Sequence, residues 1–124
     1  MSQIPRPGLF RFLEGCKAIT ERVVIFTTVK EDRFRKIANL LVEEKIVPEW
    51  FRAIEYIDWE GETKNLEFIP GNEISSSVLV DDFHIYVHPG QEEQWIEIKQ
   101  FDYPYPEADV ELEVTLKILN QKNA

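Results

Sequence analysis

The sequence predicts an α/β fold built on a mostly parallel sheet. Three observations carry that expectation: the continuous apolar run Val23-Val24-Ile25-Phe26, helical apolar spacing on either side of it, and a second run, Val78-Leu79-Val80, that stops on Asp81-Asp82. Continuous rather than alternating apolarity is what a parallel strand covered on both faces shows. Strands that alternate with helices assemble into a parallel sheet. The bulk properties agree. A chain of 124 residues is the size of one domain, and 44% hydrophobic and 12% aromatic residues supply a core. Fourteen Lys+Arg against 23 Asp+Glu give a net charge of -9, which argues against nucleic acid and anionic membranes as partners. One cysteine, Cys16, rules out an internal disulfide and suits a reducing compartment. The N-terminal Met-Ser-Gln-Ile-Pro-Arg-Pro lacks a signal-peptide core, and no run of about twenty apolar residues exists, so the expected location is cytoplasmic.

The elements follow in order. Arg6-Pro7-Gly8 is a turn that feeds a helix whose apolar stripe is Leu9, Phe10, Leu13, Cys16 and Ile19. Cys16 on that stripe reads as a small core residue. The first strand is Val23 to Phe26, ending in Thr27-Thr28. A second helix is predicted over 31–44, with Phe34, Ile37, Ala38, Leu41 and Val42 inward and Glu31 and Asp32 suiting its dipole at the start. Pro48 marks the stop. Residues 53–57 form a short strand, 58–64 a polar loop turning at Gly61, and 65–69 a helical turn. The strand 77–80 follows, then a turn at His88-Pro89-Gly90-Gln91, a fifth apolar run over 95–98, and the stiff connector Asp102-Tyr103-Pro104-Tyr105-Pro106. From Ala108 to about Leu119 the apolar positions alternate like a strand, yet the length, the acidic start and Lys117 and Lys122 favour a helix.

Chemistry is expected at the carboxyl ends of the strands, where open α/β sheets bind ligands. Two adjacent carboxylates at such an end repel each other and resist desolvation. A hard divalent cation relieves both, and few oxygen ligands suit Mg²⁺. Asp-Asp is also ordinary turn chemistry, so both readings stand. Thr27 ends one strand, Asp81 and Asp82 end another, and Lys64 lies on a loop between them. A hydroxyl, an ammonium and an acid pair make a phosphate-handling set, in which Lys64 and a metal neutralise developing charge and Thr27 binds an oxygen. His84 and His88 lack the Cys or third His that a zinc site needs.

In that order the motifs resemble the haloacid-dehalogenase-like phosphatase superfamily. The nearest branch holds the phosphatases of the RNA polymerase C-terminal tail and the NLI-interacting-factor-like proteins. Residues 6–13, Arg-Pro-Gly-Leu-Phe-Arg-Phe-Leu, look like its RPG-x-x-x-FL segment, and 23–28 like the second motif with Thr27 as the phosphate-contacting hydroxyl. Lys64 matches the third motif's lysine, and 78–82 the fourth, whose acids Asp81 and Asp82 help hold Mg²⁺. Residues 83–91 look like the segment after it. The resemblance implies a single three-layer α/β/α domain over 1–124, Mg²⁺-dependent hydrolysis of phosphomonoesters, and a phosphorylated substrate. With no cap-sized insertion, it points to a macromolecule such as a phosphoprotein.

One departure dominates. The family opens on a strand ending Asp-x-Asp-x-Thr, whose first Asp is the nucleophile and whose second is the general acid/base. No such motif occurs in these residues. By the resemblance, that strand lies mid-sheet, between the strands at 23–26 and 78–80, so the sheet is expected to lack its central first strand. Two explanations follow: an N-terminally truncated phosphatase begun at an internal Met, or a natural short protein turned into a binding or assembly module. Either way the chain is expected to be inactive alone, and open strand edges would favour homo-oligomers. A separate reading is an acidic interaction domain whose Trp50, Trp59, Trp95 and Tyr103-Pro104-Tyr105 bind a protein.

Overall fold

The computed structural model of the chain describes residues 6–99 and 109–122. The 102–106 connector, Tyr103 and Tyr105 within it, and the predicted helix start at Ala108 lie outside the described residues.

Helix α1 spans Leu9–Ile19. Gly8 precedes it at φ 84°, a left-handed conformation that glycine adopts without a side-chain clash. The inward stripe is Leu9, Phe12, Leu13, Cys16 and Ile19, while Phe10 is 44% exposed. Counting i+3 and i+4 from Leu9 selects Phe12, so the expected Phe10 belongs to the outer face. Strand β1 is Val24–Ile25, and helix α2 is Glu31–Glu43. Phe34, Ala38 and Val42 line up at i, i+4 and i+8 and bury against Leu13, Val47, Phe51 and Ile54. The stop comes before Pro48. The Lys45 and Ile46 amides donate back to the carbonyls of Val42 and Leu41, a Schellman closure that holds Lys45 at φ 61°.

A 3-10 turn over Glu49–Ala53 leads into strand β2, Glu55–Tyr56. Further 3-10 turns form at Leu66–Phe68, Ile74–Ser76, His84–Tyr86 and Glu92–Gln94. Strand β3 is Leu79–Asp81 and strand β4 is Trp95–Glu97. Helix α3, Glu111–Lys122, settles the ambiguous C-terminal segment as helical, with Leu112, Thr115 and Leu119 on its buried face. Its alternating apolar positions imitate a strand, and Val110, Val114 and Ile118 accordingly stay exposed.

The strands make two parallel pairs. Val24 lies opposite Glu55 and Ile25 opposite Tyr56; Leu79, Val80 and Asp81 lie opposite Trp95, Ile96 and Glu97. The expected single sheet is therefore two two-stranded sheets among the described residues, with β1 not hydrogen-bonded to β3. Side chains join them instead. Val23 and Val80 share a cluster with Cys16 of α1 and Leu116 and Leu119 of α3. On the other face Val24, Phe26 and Leu79 meet Ile57, Leu66, Ile69 and Ile74. Both faces of β1 are covered, as its continuous apolar run requires. The fold is mixed α/β, with three helices and short parallel strands. No described helix is long and apolar enough to cross a membrane.

One long-range ion pair ties the chain ends together. Arg6 donates from Nε and a terminal nitrogen to the two Asp109 oxygens at 2.9 and 3.0 Å, and Asp109 Oδ1 accepts the Glu111 amide at the start of α3. The Arg6 guanidinium holds the Asp109 carboxyl below its ordinary value. Lowered in the fold, this group contributes stability that is present above the usual carboxylate range and lost as pH falls through the lowered value. Asp109→Asn is expected to cost about 1–3 kcal/mol at neutral pH, and the gap to the parent to close in strongly acid melts. Lys45→Gly removes side-chain strain at the α2 stop and is expected to stabilise by about 0.5–1 kcal/mol, read as a rise in melting temperature.

Candidate functional site

Asp81 sits at the carboxyl end of β3, 7% exposed, and Lys64 reaches it from the loop after β2 at 9%. The Lys64 ammonium donates to Asp81 Oδ2, while Asp81 Oδ1 accepts the Phe83 amide at 3.0 Å. Both carboxylate oxygens are thus engaged by the chain itself. The Trp95 indole donates to the Asp81 carbonyl at 3.0 Å, which fixes the strand end from the β4 side. Buried charges need such partners, because an unpaired one costs several kcal/mol.

The lysine is held as firmly as its partner. Its backbone amide donates to the Tyr86 carbonyl at 2.6 Å, and Lys64 bridges Val87 in parallel register. Its ammonium lies 4.8 Å from the Tyr86 ring centroid, within cation–π range. Gln91, buried, accepts the Leu66 amide at 2.9 Å and donates to Asn65 Oδ1 at 2.8 Å. Thr63 Oγ1 and His88 Nδ1 are 2.7 Å apart. The turn 88–91 therefore clamps the loop 63–66 on both sides of the lysine.

Asp82 differs from its neighbour. It is exposed, and its carboxyl is raised by partial burial and then by the Asp81 charge beside it, against a smaller pull from Lys64. Thr27 lies apart from these groups. Its hydroxyl accepts the Val29 amide at 3.2 Å, and its carbonyl accepts the Trp59 indole at 2.8 Å. With Tyr56, Asp58, Trp59 and Lys30 it lines an open cavity of about 450 Å³ past the ends of β1 and β2, and neither Lys64 nor the acids line that cavity. The link between the two regions runs through rings: Trp59 meets Tyr86 edge-on at 6.4 Å, and Tyr86 carries Lys64.

The structure thus brings Lys64, Asp81 and Asp82 together at one strand end and places Thr27 on an adjoining surface. Tyr86 and Gln91 were not among the candidate residues. The Pro89-Gly90 turn signal precedes Gln91, but nothing in the sequence aims a glutamine back at residue 66. His88 is a partner of Thr63, and among the described residues no group of three His, Cys, Asp or Glu gathers to hold a metal.

The RPG turn, the strand before Thr27, Lys64 and the strand ending in Asp81 follow one another in this order along the chain. The model of the NLI interacting factor-like phosphatase family matches residues 1–123. The chain belongs to that family. Neither a curated protein nor a solved structure matches it. Membership agrees with the haloacid-dehalogenase-like branch read from the motifs, and it makes this a phosphatase-type domain.

Members of this family are generally metal-dependent, so the donor set must be weighed against a divalent ion. Asp81 has its two oxygens on Lys64 and Phe83, which leaves Asp82 as the carboxylate not committed to the chain's own cation. A six-coordinate ion would meet one carboxylate without a cationic partner and a buried ammonium of like sign. The described residues do not fit such an ion.

The raised carboxyl of Asp82 predicts a pH-dependent gain. A carboxyl raised in the fold disfavours the folded state increasingly as pH rises above the ordinary carboxylate value, and fully above its folded value. Asp82→Asn is therefore expected to stabilise by about 0.5 kcal/mol at neutral pH. The gain should fade as pH falls and Asp82 takes up its proton, as read in melts across that range.

Proposed function

We propose that this chain is the phosphate-handling part of a phosphomonoester hydrolase whose attacking carboxylate lies outside these 124 residues. Family membership supports the phosphate chemistry, and the buried Lys64–Asp81 pair at the end of β3 is the observation that carries it. An ammonium has three protons to donate. One is spent on Asp81, and the others would meet phosphoryl oxygens. Lys64 would balance charge as it builds on the phosphoryl group, and Thr27 would donate its hydroxyl to an oxygen from the β1 side. By the family pattern Asp81 and Asp82 are the acids nearest a Mg²⁺ site, but Asp81 is committed to Lys64, so these residues alone do not hold the ion.

In the complete enzyme an attacking carboxylate would displace the alcohol from phosphorus, and water would then release phosphate from the acyl-phosphate. The natural place for its strand is between β1 and β3, which pair with β2 and β4 but not with each other. Filling that place would join the two strand pairs into one sheet of a three-layer domain. The alternative, a non-catalytic module derived from the same fold, is favoured by one observation: Asp81 is already neutralised without any ligand.

Turnover of a generic aryl phosphate separates these readings. The 124-residue chain is expected to show none with Mg²⁺, and activity abolished by Asp81→Asn would overturn the proposal that the nucleophile lies elsewhere. An added N-terminal strand ending Asp-x-Asp-x-Thr is expected to confer hydrolysis that Lys64→Ala lowers by about 10²–10³-fold. A folded, extended chain with no hydrolysis favours the module.

A further inference from the structure

We infer that the Lys64 ammonium is the resident counter-ion of Asp81 and occupies the position at the end of β3 that a divalent cation would otherwise take. The inference goes beyond hydrolysis and does not depend on it. Asp81 and Lys64 are both about nine-tenths buried, and Asp81 holds the lysine through one oxygen and the Phe83 amide through the other. The lysine is not a surface side chain that has swung inward. Its loop is held by the Tyr86 carbonyl, the Gln91 amide and the Thr63–His88 contact, all of which place residue 64 before its side chain is considered.

Charge explains the exclusion. The Lys64–Asp81 pair is neutral, so the strand end offers a dication only the Asp82 carboxylate, with an ammonium of the same sign beside it. The described residues add no third acid or imidazole to outweigh that repulsion. Without the ammonium the balance reverses. Asp81 and Asp82 would then be two adjacent carboxylates with no cation, and one or two carboxylates plus water is how Mg²⁺ is commonly bound. The same lysine that makes the strand end foldable without metal makes it a poor metal site.

Manganese broadening of backbone amide resonances tests this in the whole chain. In the parent protein the amides of Val80, Asp81, Asp82 and Phe83 are expected to keep their line widths at millimolar Mn²⁺. In Lys64→Met, which keeps the length of the side chain and removes its charge, they are expected to broaden at about tenfold lower Mn²⁺. Excess Mg²⁺ should reverse the effect, and the added substitution Asp81→Asn should abolish it. Broadening of these amides in the parent protein overturns the inference, and so does a folded Lys64→Met chain that shows none. Should Lys64→Met unfold in the absence of metal, Mg²⁺ is expected to restore its folded spectrum, and failure to restore it counts against the inference.

Discussion

The buried contact between Lys64 and Asp81 is the constraint to which the middle of this fold answers. Burying a carboxylate at 7% exposure is costly without a partner, and the partner has to arrive from a loop 17 residues and several turns away. The chain meets that need by fastening the loop rather than the side chain. Gln91 takes the Leu66 amide, Tyr86 takes the Lys64 amide, and the ammonium reaches Asp81. Breaking such a pair from one side leaves a stranded charge at a cost of about 3–5 kcal/mol, so the turn at 88–91 and the end of β3 are bound to one another. Arg6 and Asp109 play the same part at the chain's periphery, where a bidentate pair joins the RPG turn to the start of α3.

Packing, not a hydrogen-bonded ladder, unites the two halves of the strand layer. Each parallel pair is only two or three residues long, too short to be stable alone. What holds them is the sharing of clusters: Val23 with Val80 under α1 and α3, and Val24 and Phe26 with Leu79 against the 3-10 segments. Helices α1 and α3 can approach closely because Gly15 has no side chain; a Cβ there would lie 2.6 Å from Leu116. The helical face is therefore dense, while the strand layer is held by side chains that reach across from two separate pairs.

Much of this was legible in the sequence, and the limits have physical causes. Helices α1 and α2 were readable to within a residue because their apolar positions repeat at three and four. The stripe of α1 was misplaced by the choice of Phe10 over Phe12, two aromatics two residues apart on opposite faces. The strands came out shorter than their apolar runs, since pairing extends only where a neighbouring backbone is in register, and register is a long-range property. Lys64, Asp81 and Asp82 were singled out as a set, and the structure brings these three together. Thr27 was grouped with them because strand ends share an edge, but its hydroxyl is turned to its own loop at Val29. Gln91 was invisible as a support, because a glutamine's partners are set by the turn that carries it.

The two surfaces at this edge differ in kind, and that difference bears on what the domain can bind. Beyond β1 and β2 lies an open cavity with Thr27, Lys30, Tyr56 and Trp59 on its wall. Beyond β3 lies a filled, electrically neutral contact in which a cation and an anion have already met. The first surface presents the Thr27 hydroxyl, which accepts the Val29 amide. The second adjoins the rings of Tyr86 and Trp59, with the Lys64 ammonium 4.8 Å from the Tyr86 ring centroid. Fold does not by itself confer activity, which resides in the groups a site brings to bear. Here the Lys64–Asp81 contact is formed and charge-balanced by the chain's own groups. Lys64 and Asp81 are thus held in place by contacts within the chain itself, through the Tyr86 carbonyl, the Gln91 side chain and the Phe83 amide.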